Sequence, residues 1–208
     1  MVLLKTEPFF IYKLSLISGK HTEFESEIER NSSNDKEPMK LLSDWGITTN
    51  WWRGDRGEYW VIAQGILLLA FVLIPANTPS FVDFCVSIWL YTSWILTAIF
   101  GTLAIVFLGR SLFDLGQNLT PLPHPRDEGQ LVRTGIYGLV RHPMYSGVIY
   151  LALASASWQM SWIHLVGSLV LFVFFDAKSR MEEVWLTEKF ADYANYSTDV
   201  KKLIPGIY

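Results

Sequence analysis

The 208 residues include one cysteine, Cys85. That excludes an internal disulfide framework and any zinc centre built on thiolates. Cys85 lies in an apolar run and reads as a small membrane-buried residue. Basic residues are missing from two long stretches: none of the 17 Lys and Arg falls in 57–109 or 142–177. Strong charge of either sign is lacking too. The formal net charge of -3 gives no reason to expect a nucleic-acid partner. Several catalytic signatures are absent. No GxGxxG opens a helix after a strand, and there is no GxxxxGK[ST], HExxH or GxSxG. These absences exclude the usual dinucleotide, phosphate, zinc-protease and serine-hydrolase readings, and no metal site is expected.

What is present is apolar. Half of the residues are hydrophobic, with 9 Trp, 9 Tyr and 13 Phe. They concentrate in the stretches without cations, as in a multispan membrane protein. Four runs can be drawn: Tyr59–Ile74, Phe81–Leu108, Tyr145–Trp158 and Trp162–Phe175. A spanning helix needs roughly 20 apolar residues. The second run meets that length. The third and fourth fall short, so each extends into its polar flank, or the two enter as a hairpin without crossing. The expected fold is all-α and polytopic, with about four transmembrane helices and a cytoplasmic pocket. The connectors 76–80 and 159–161 carry no Lys or Arg, so both termini and the 110–141 loop are expected in the cytoplasm. Trp60, Trp89, Trp94, Trp158 and Trp162 read as interface anchors or packing residues.

The first 38 residues are charged toward their end and poor in long apolar stretches. They read as a disordered extension, and residues 39–208 as the membrane domain. Segment 41–58, with Trp45, Trp51 and Trp52 among charges, reads as lying along the interface.

Chemistry is expected where the 110–145 loop meets the tail. Pro121, Pro123 and Pro125 stiffen TPLPHP, since each fixes its own φ and restrains its predecessor. RHPMYSG follows at 141–147. Pro143 suits the first turn of a helix, so the third span starts there. Its N-terminus is a natural seat for a carboxylate or phosphate. Arg141 adds a bidentate fork, or else anchors at headgroup level. His142 is a polar ligand or a capping residue. Glu182 and Glu183 follow the fourth span, where the helix dipole disfavours acids, so a cationic or hydroxyl-rich partner is expected. Asp176 and Arg180 are spaced to pair. Phe190, Tyr193 and Tyr196 form an aromatic stripe.

These residues resemble the isoprenylcysteine carboxyl methyltransferase family and its phospholipid methyltransferase relatives. The resemblance rests on LVRTGIYGLVRHPMYSG (131–147), EEVWLTEKFADYANY (182–196), the final LIPGIY and, upstream, NLTPLPHP (118–125). It covers 110–208 well and 40–109 as a hydrophobic pattern. It implies an integral membrane methyltransferase using S-adenosylmethionine without a Rossmann fold. It also implies a lipidic acceptor, either an isoprenylcysteine-like carboxylate (O-methylation) or a phospholipid amine (N-methylation). Leu131, Val132, Gly135, Tyr137, His142, Pro143, Tyr145, Gly147, Glu182 and Glu183 would hold the cofactor. Arg141, His142 and Glu183 would carry catalysis. Arg141 or Arg133 would hold an acceptor carboxylate, whereas His142 or a glutamate would matter for an amine that must shed a proton. Two other readings remain: an NADPH-dependent sterol-reductase-like enzyme, which the proline-x-x-Tyr ending resembles, and a non-catalytic lipid-binding membrane protein.

Overall fold

Helices fill the stretches that the basic residues avoid. The computed structural model describes residues 56–77, 86–120, 122–125 and 129–208. Residues 1–55, with the expected extension and most of the expected interfacial segment, lie outside the described residues, as does Cys85. The helices are α1 (Glu58–Leu73), α2 (Val86–Leu115), α3 (Pro143–Trp158), α4 (Trp162–Lys189) and α5 (Tyr193–Asp199). Short 3-10 turns sit at Gly116–Asn118 and Gly135–Gly138. Among the described residues there is no strand, only an isolated parallel bridge between Val140 and Lys201.

Two helices are long and apolar enough to cross a membrane, Ile88–Leu115 and Trp162–Lys189. At 1.5 Å per residue, α2 and α4 reach about 45 and 42 Å, beyond a hydrocarbon core of about 30 Å. Protein buries only 17% of the most apolar window of α2 and 33% of that of α4. The core helix of a soluble protein hides most of such a window. Apolar helices this long and this exposed among the described residues fit a membrane-associated domain. α1 and α3, at 16 residues each, reach about 24 Å.

Local chemistry sets the ends. Ile74, extended before Pro75, closes α1. α2 runs past Arg110 and Asp114 to Leu115, further than the apolar run to Leu108. Long cations near a helix end reach polar surroundings without breaking the helix, and the left-handed Gly116 (φ 51°) stops it instead. α4 continues 14 residues past Phe175 into its polar flank, whereas α3 gains only Pro143 and Met144. The three-residue connector Gln159–Ser161 makes α3 and α4 antiparallel.

α3 is the buried helix. Ser146, Gly147, Ala152, Ala154 and Ala156 give it a small-residue surface, packed chiefly on α2 and then on α4. A Cβ at Gly147 would stand 2.7 Å from Leu108 Cγ, so glycine is what lets α2 and α3 approach. α1 packs on α4 through Trp60 against Phe174 (5.5 Å) and Phe71 against His164 (5.1 Å). Ile149, Ala152, Leu171, Phe175 and Leu203 form the core where the tail folds back on α3 and α4.

Candidate functional site

The start of α3 is held by the chain's own tail. The Arg141 and His142 amides donate to the Lys201 and Lys202 carbonyls at 2.8 and 3.1 Å. Ser146 Oγ donates to the Leu203 carbonyl at 2.6 Å, and Tyr196 Oη to the Tyr137 carbonyl at 2.6 Å. Pro143 occupies the first turn, and the side chain of His142 makes no capping bond. The backbone is thus fixed by sequence-distant partners, and the two polar side chains are free to turn toward α4.

There they meet the adjacent glutamates. Glu183 Oε1 accepts from Arg141 Nε at 2.9 Å and lies 3.0 Å from His142 Nε2. His142 Nδ1 lies 3.5 Å from Glu182 Oε2, which also accepts from Tyr145 Oη at 2.8 Å. One imidazole therefore touches both carboxylates. Burial alone would push its pKa down, but hydrogen bonds and charge from Glu182 and Glu183 outweigh burial. The His142 pKa stands above 6.5, favouring the imidazolium. The ring stacks on Tyr145 (5.4 Å), which stacks on Phe175 (4.9 Å). Arg141 also reaches the tail. Its Nη1 donates to the Ser197 carbonyl at 2.7 Å and also to that of Val200.

This network forms one wall of a cavity of about 350 Å³ between the start of α3, the polar end of α4, the 115–132 loop and the tail. Leu131, Val132, Tyr137, Arg141, His142, Pro143, Tyr145 and Glu182 line it. Glu183 sits behind that wall, joining Arg141 to His142. Gly135 and Gly147 do not line it. Gly135 (φ 63°) lies against Asp114, whose carboxylate accepts from the Ile136 amide at 2.7 Å. Gly147 packs on Leu108. Arg133 is half-exposed and pairs with Asp192 at 2.8 Å, outside the cavity. Asp176 pairs with Arg180 at 2.8 Å, as the spacing suggested, and with Lys202 at 3.1 Å.

Among the lining residues that sequence reasoning missed, Gln64 and Lys178 form a pair. Gln64 of α1 accepts from Lys178 Nζ at 2.6 Å, and both face the cavity. A lone glutamine in an apolar run and a lysine just past another were the available signals. Tyr193, a member of the aromatic stripe, also lines the cavity, and its buried hydroxyl has no hydrogen-bond partner among the described residues. Burial also raises its pKa, so the group stays a neutral donor.

The fold and cavity define an all-α, membrane-associated domain with a charged, aromatic-lined site at one end of its helices. Residues 92–193, about half of the chain, match the family model described as Phospholipid methyltransferase. Relatives of this chain include a "Probable protein-S-isoprenylcysteine O-methyltransferase" of Oryza sativa subsp. indica, 32% identical over 107 residues, 50% of this chain and 53% of the relative. A "Protein-S-isoprenylcysteine O-methyltransferase" of Dictyostelium discoideum is 28% identical over 139 residues, 62% and 59% of the two chains. One of the same name from Saccharomyces cerevisiae is 38% identical over 79 residues, 37% and 33% of the two. The chain spans about half the length of the curated relatives it matches. Over this segment the chain is similar to the phospholipid methyltransferase family, and its relatives carry the name of isoprenylcysteine O-methyltransferases.

Proposed function

We propose that this chain is a membrane methyltransferase that binds S-adenosylmethionine in the cavity beside His142 and methylates a lipidic acceptor. The observation that carries the reading is the hydroxyl of Tyr193, a residue that lines the cavity: it is buried without a hydrogen-bond partner among the described residues. An unmade buried hydrogen bond is costly and points to a ligand that makes it. The donor set fits this cofactor. The cavity volume lies in the range of small-molecule sites. Tyr137, Tyr145 and Phe190 offer ring faces to a sulfonium or an adenine. Glu182 suits an ammonium or ribose hydroxyls.

When bound, S-adenosylmethionine supplies an electrophilic methyl group, and its sulfonium becomes a thioether as the acceptor takes that group. The chain's residues orient and enclose. Glu183 holds Arg141 and His142, so the start of α3 keeps one shape against the tail. Stacking of His142, Tyr145 and Phe175 makes a flat, dry wall. Arg141, Gly135 and Gly147 act by building that wall, and Leu131, Val132 and Pro143 shape the mouth. A carboxylate acceptor arrives deprotonated, so no general base is required.

The acceptor enters from the lipid side, and its chemistry follows the printed names of the relatives: a prenylated cysteine carboxylate is the reading we favour. We place the cavity on the cytoplasmic side, with both termini, because the basic blocks lie at that end. α2 and α4 then span, and α1 and α3 complete a four-helix membrane core, thinning the bilayer or leaning on their polar flanks. The reductase and lipid-binding readings gain no support from the methyltransferase names. Detergent-purified protein should be stabilised thermally by S-adenosylmethionine and S-adenosylhomocysteine. Stabilisation by NADPH alone would replace the reading with the reductase, and no response to any of the three would favour a non-enzyme.

A further inference from the structure

Tyr137 reaches the cavity from a single 3-10 turn, Gly135–Gly138. So short an element cannot fix its own geometry, because most of its amides and carbonyls have no partner within it. Thr134, the residue before it, offers no side-chain hydrogen bond to cap it. The cap comes from another element. Asp114, one residue before the end of α2, accepts from the Ile136 amide at 2.7 Å. That amide is the second of the turn, a position that a capping side chain ordinarily serves. On the other side, the Tyr137 carbonyl accepts from Tyr196 Oη at 2.6 Å. Asp114 does not line the cavity. It sits where the helix dipole disfavours an acid, and it forms no ion pair among the described residues.

The fit is close. A Cβ on Gly135 would stand 2.0 Å from Asp114 Oδ2 and 2.6 Å from its Cγ, so no side chain fits between the turn and the carboxylate. Packing gives the turn a second hold, since Ile136 and Tyr137 are buried with Phe107 and Val140. Packing is non-directional. The two hydrogen bonds are directional. They set the peptide planes that flank Ile136 and Tyr137, and so the direction in which the Tyr137 ring leaves the backbone. Burial raises the Tyr137 pKa most, and Glu182, Tyr196 and Asp114 raise it further, so the ring is presented as a neutral phenol.

We propose that Asp114 is a positioning residue of the cofactor site: through the Ile136 amide it aims the Tyr137 ring into the cavity, where the ring meets the cofactor. This rests on the methyltransferase reading above. Asp114 itself touches neither cofactor nor acceptor. It acts by its hydrogen bond and not by its charge, so a neutral oxygen of the same reach should replace it.

The test titrates S-adenosylmethionine, without acceptor, into the full chain in detergent by calorimetry. Asp114→Ala should weaken binding about tenfold, the worth of a well-placed ring face against a cation. Asp114→Asn keeps an accepting oxygen and should stay within about threefold of the natural protein. Tyr137→Leu should lose about as much as Asp114→Ala. The double variant should lose no more than about twofold beyond Tyr137→Leu alone, because Asp114 acts through that ring. General loosening of the fold would instead deepen the loss in the double variant, and asparagine would not rescue it. Natural affinity in Asp114→Ala, lost affinity in Asp114→Asn, or additive losses in the double variant each overturn the proposal. If Asp114→Ala does not fold, Asp114→Glu decides. Its carboxylate is one methylene too long for a contact already closed at Gly135, so it should bind at least about threefold more weakly, and natural affinity there overturns the proposal. The methyltransferase reading is judged separately. It falls, and the proposal with it, if the natural protein binds no S-adenosylmethionine, whereas an insensitive Asp114→Ala protein sinks the proposal alone.

Discussion

Two cavities lie at opposite ends of the same helices, and they solve polarity differently. The far one, about 200 Å³ among Trp89, Leu96, Ser157 and Trp162, has no ionisable lining residue among those described. Most of its hydroxyls are satisfied at home. Thr92 donates to Ile88, Ser93 to Leu90 and Ser157 to Leu153, each within one helix, while Ser161 Oγ accepts from the distant Asn77 amide at 3.1 Å. The cavity beside His142 is built from bonds spanning 37 to 114 residues of sequence, and it still leaves the Tyr193 hydroxyl without a partner among the described residues. Hydroxyls bonded to their own helix can sit anywhere in a membrane protein. A network of distant partners holds only when the whole fold is in place, and its unmet groups mark where a ligand belongs.

Breaking that network at its hub should give the largest effect. Glu183→Gln leaves the Arg141 guanidinium and the His142 imidazolium without the carboxylate that faces both. Removing one member of such a buried set costs about 3 kcal/mol or more. The melting temperature should drop clearly, and S-adenosylhomocysteine binding should be lost with it. Retention of both would show that the tail carbonyls alone secure Arg141.

The next effect is pH-dependent. The His142 pKa is raised in the folded protein, so its charge contributes stability fully below the unfolded value of about 6.5. That contribution is lost as pH rises through the folded value. Melting temperature should therefore fall as pH is raised from about 6.5, and His142→Asn should flatten the slope over that window. A slope unchanged in the variant would assign the titration elsewhere.

Much of this was legible in the sequence. The gaps in basic residues marked the helices, and Pro143 marked the start of α3 to the residue. The pairing of RHP with the double glutamate matches the expectation that these acids require a cation, although α4 runs on to Lys189 and holds them inside the helix rather than at its C-terminus. Other features were hidden for a physical reason. Arg141 offered a bidentate fork, but its bonds to the Ser197 and Val200 carbonyls depend on where the tail returns, and no local pattern encodes that. Gln64 and Lys178 are 114 residues apart, so only packing of α1 on α4 makes them a pair. Gly135 and Gly147 looked like pocket glycines, yet they serve the close approach of Asp114 and Leu108.

Tyr193→Phe separates stability from binding. The hydroxyl has no partner among the described residues, so its removal relieves a buried donor. Stability should hold or rise slightly, while S-adenosylhomocysteine affinity falls by about three- to tenfold, the worth of one neutral hydrogen bond. Calorimetric titration of both proteins measures this, and unchanged affinity would show that the hydroxyl does not meet the cofactor.

The smallest effect belongs to the far cavity. Ser157 Oγ donates to the Leu153 carbonyl four residues back at 2.8 Å, and that carbonyl remains within its own helix when the hydroxyl is gone. Ser157→Ala therefore removes a bond without stranding a partner. It also swaps serine for a better helix former. Melting should shift by the equivalent of less than about 0.5 kcal/mol, with S-adenosylhomocysteine and acceptor affinities unmoved. A large loss of either would mean that the two ends of the bundle are coupled through α3, whose small-residue surface ties Gly147 to α2 only a few turns away. The contrast between the cavities would then be one of degree, with α3 transmitting changes from the lipid-exposed end to the charged one.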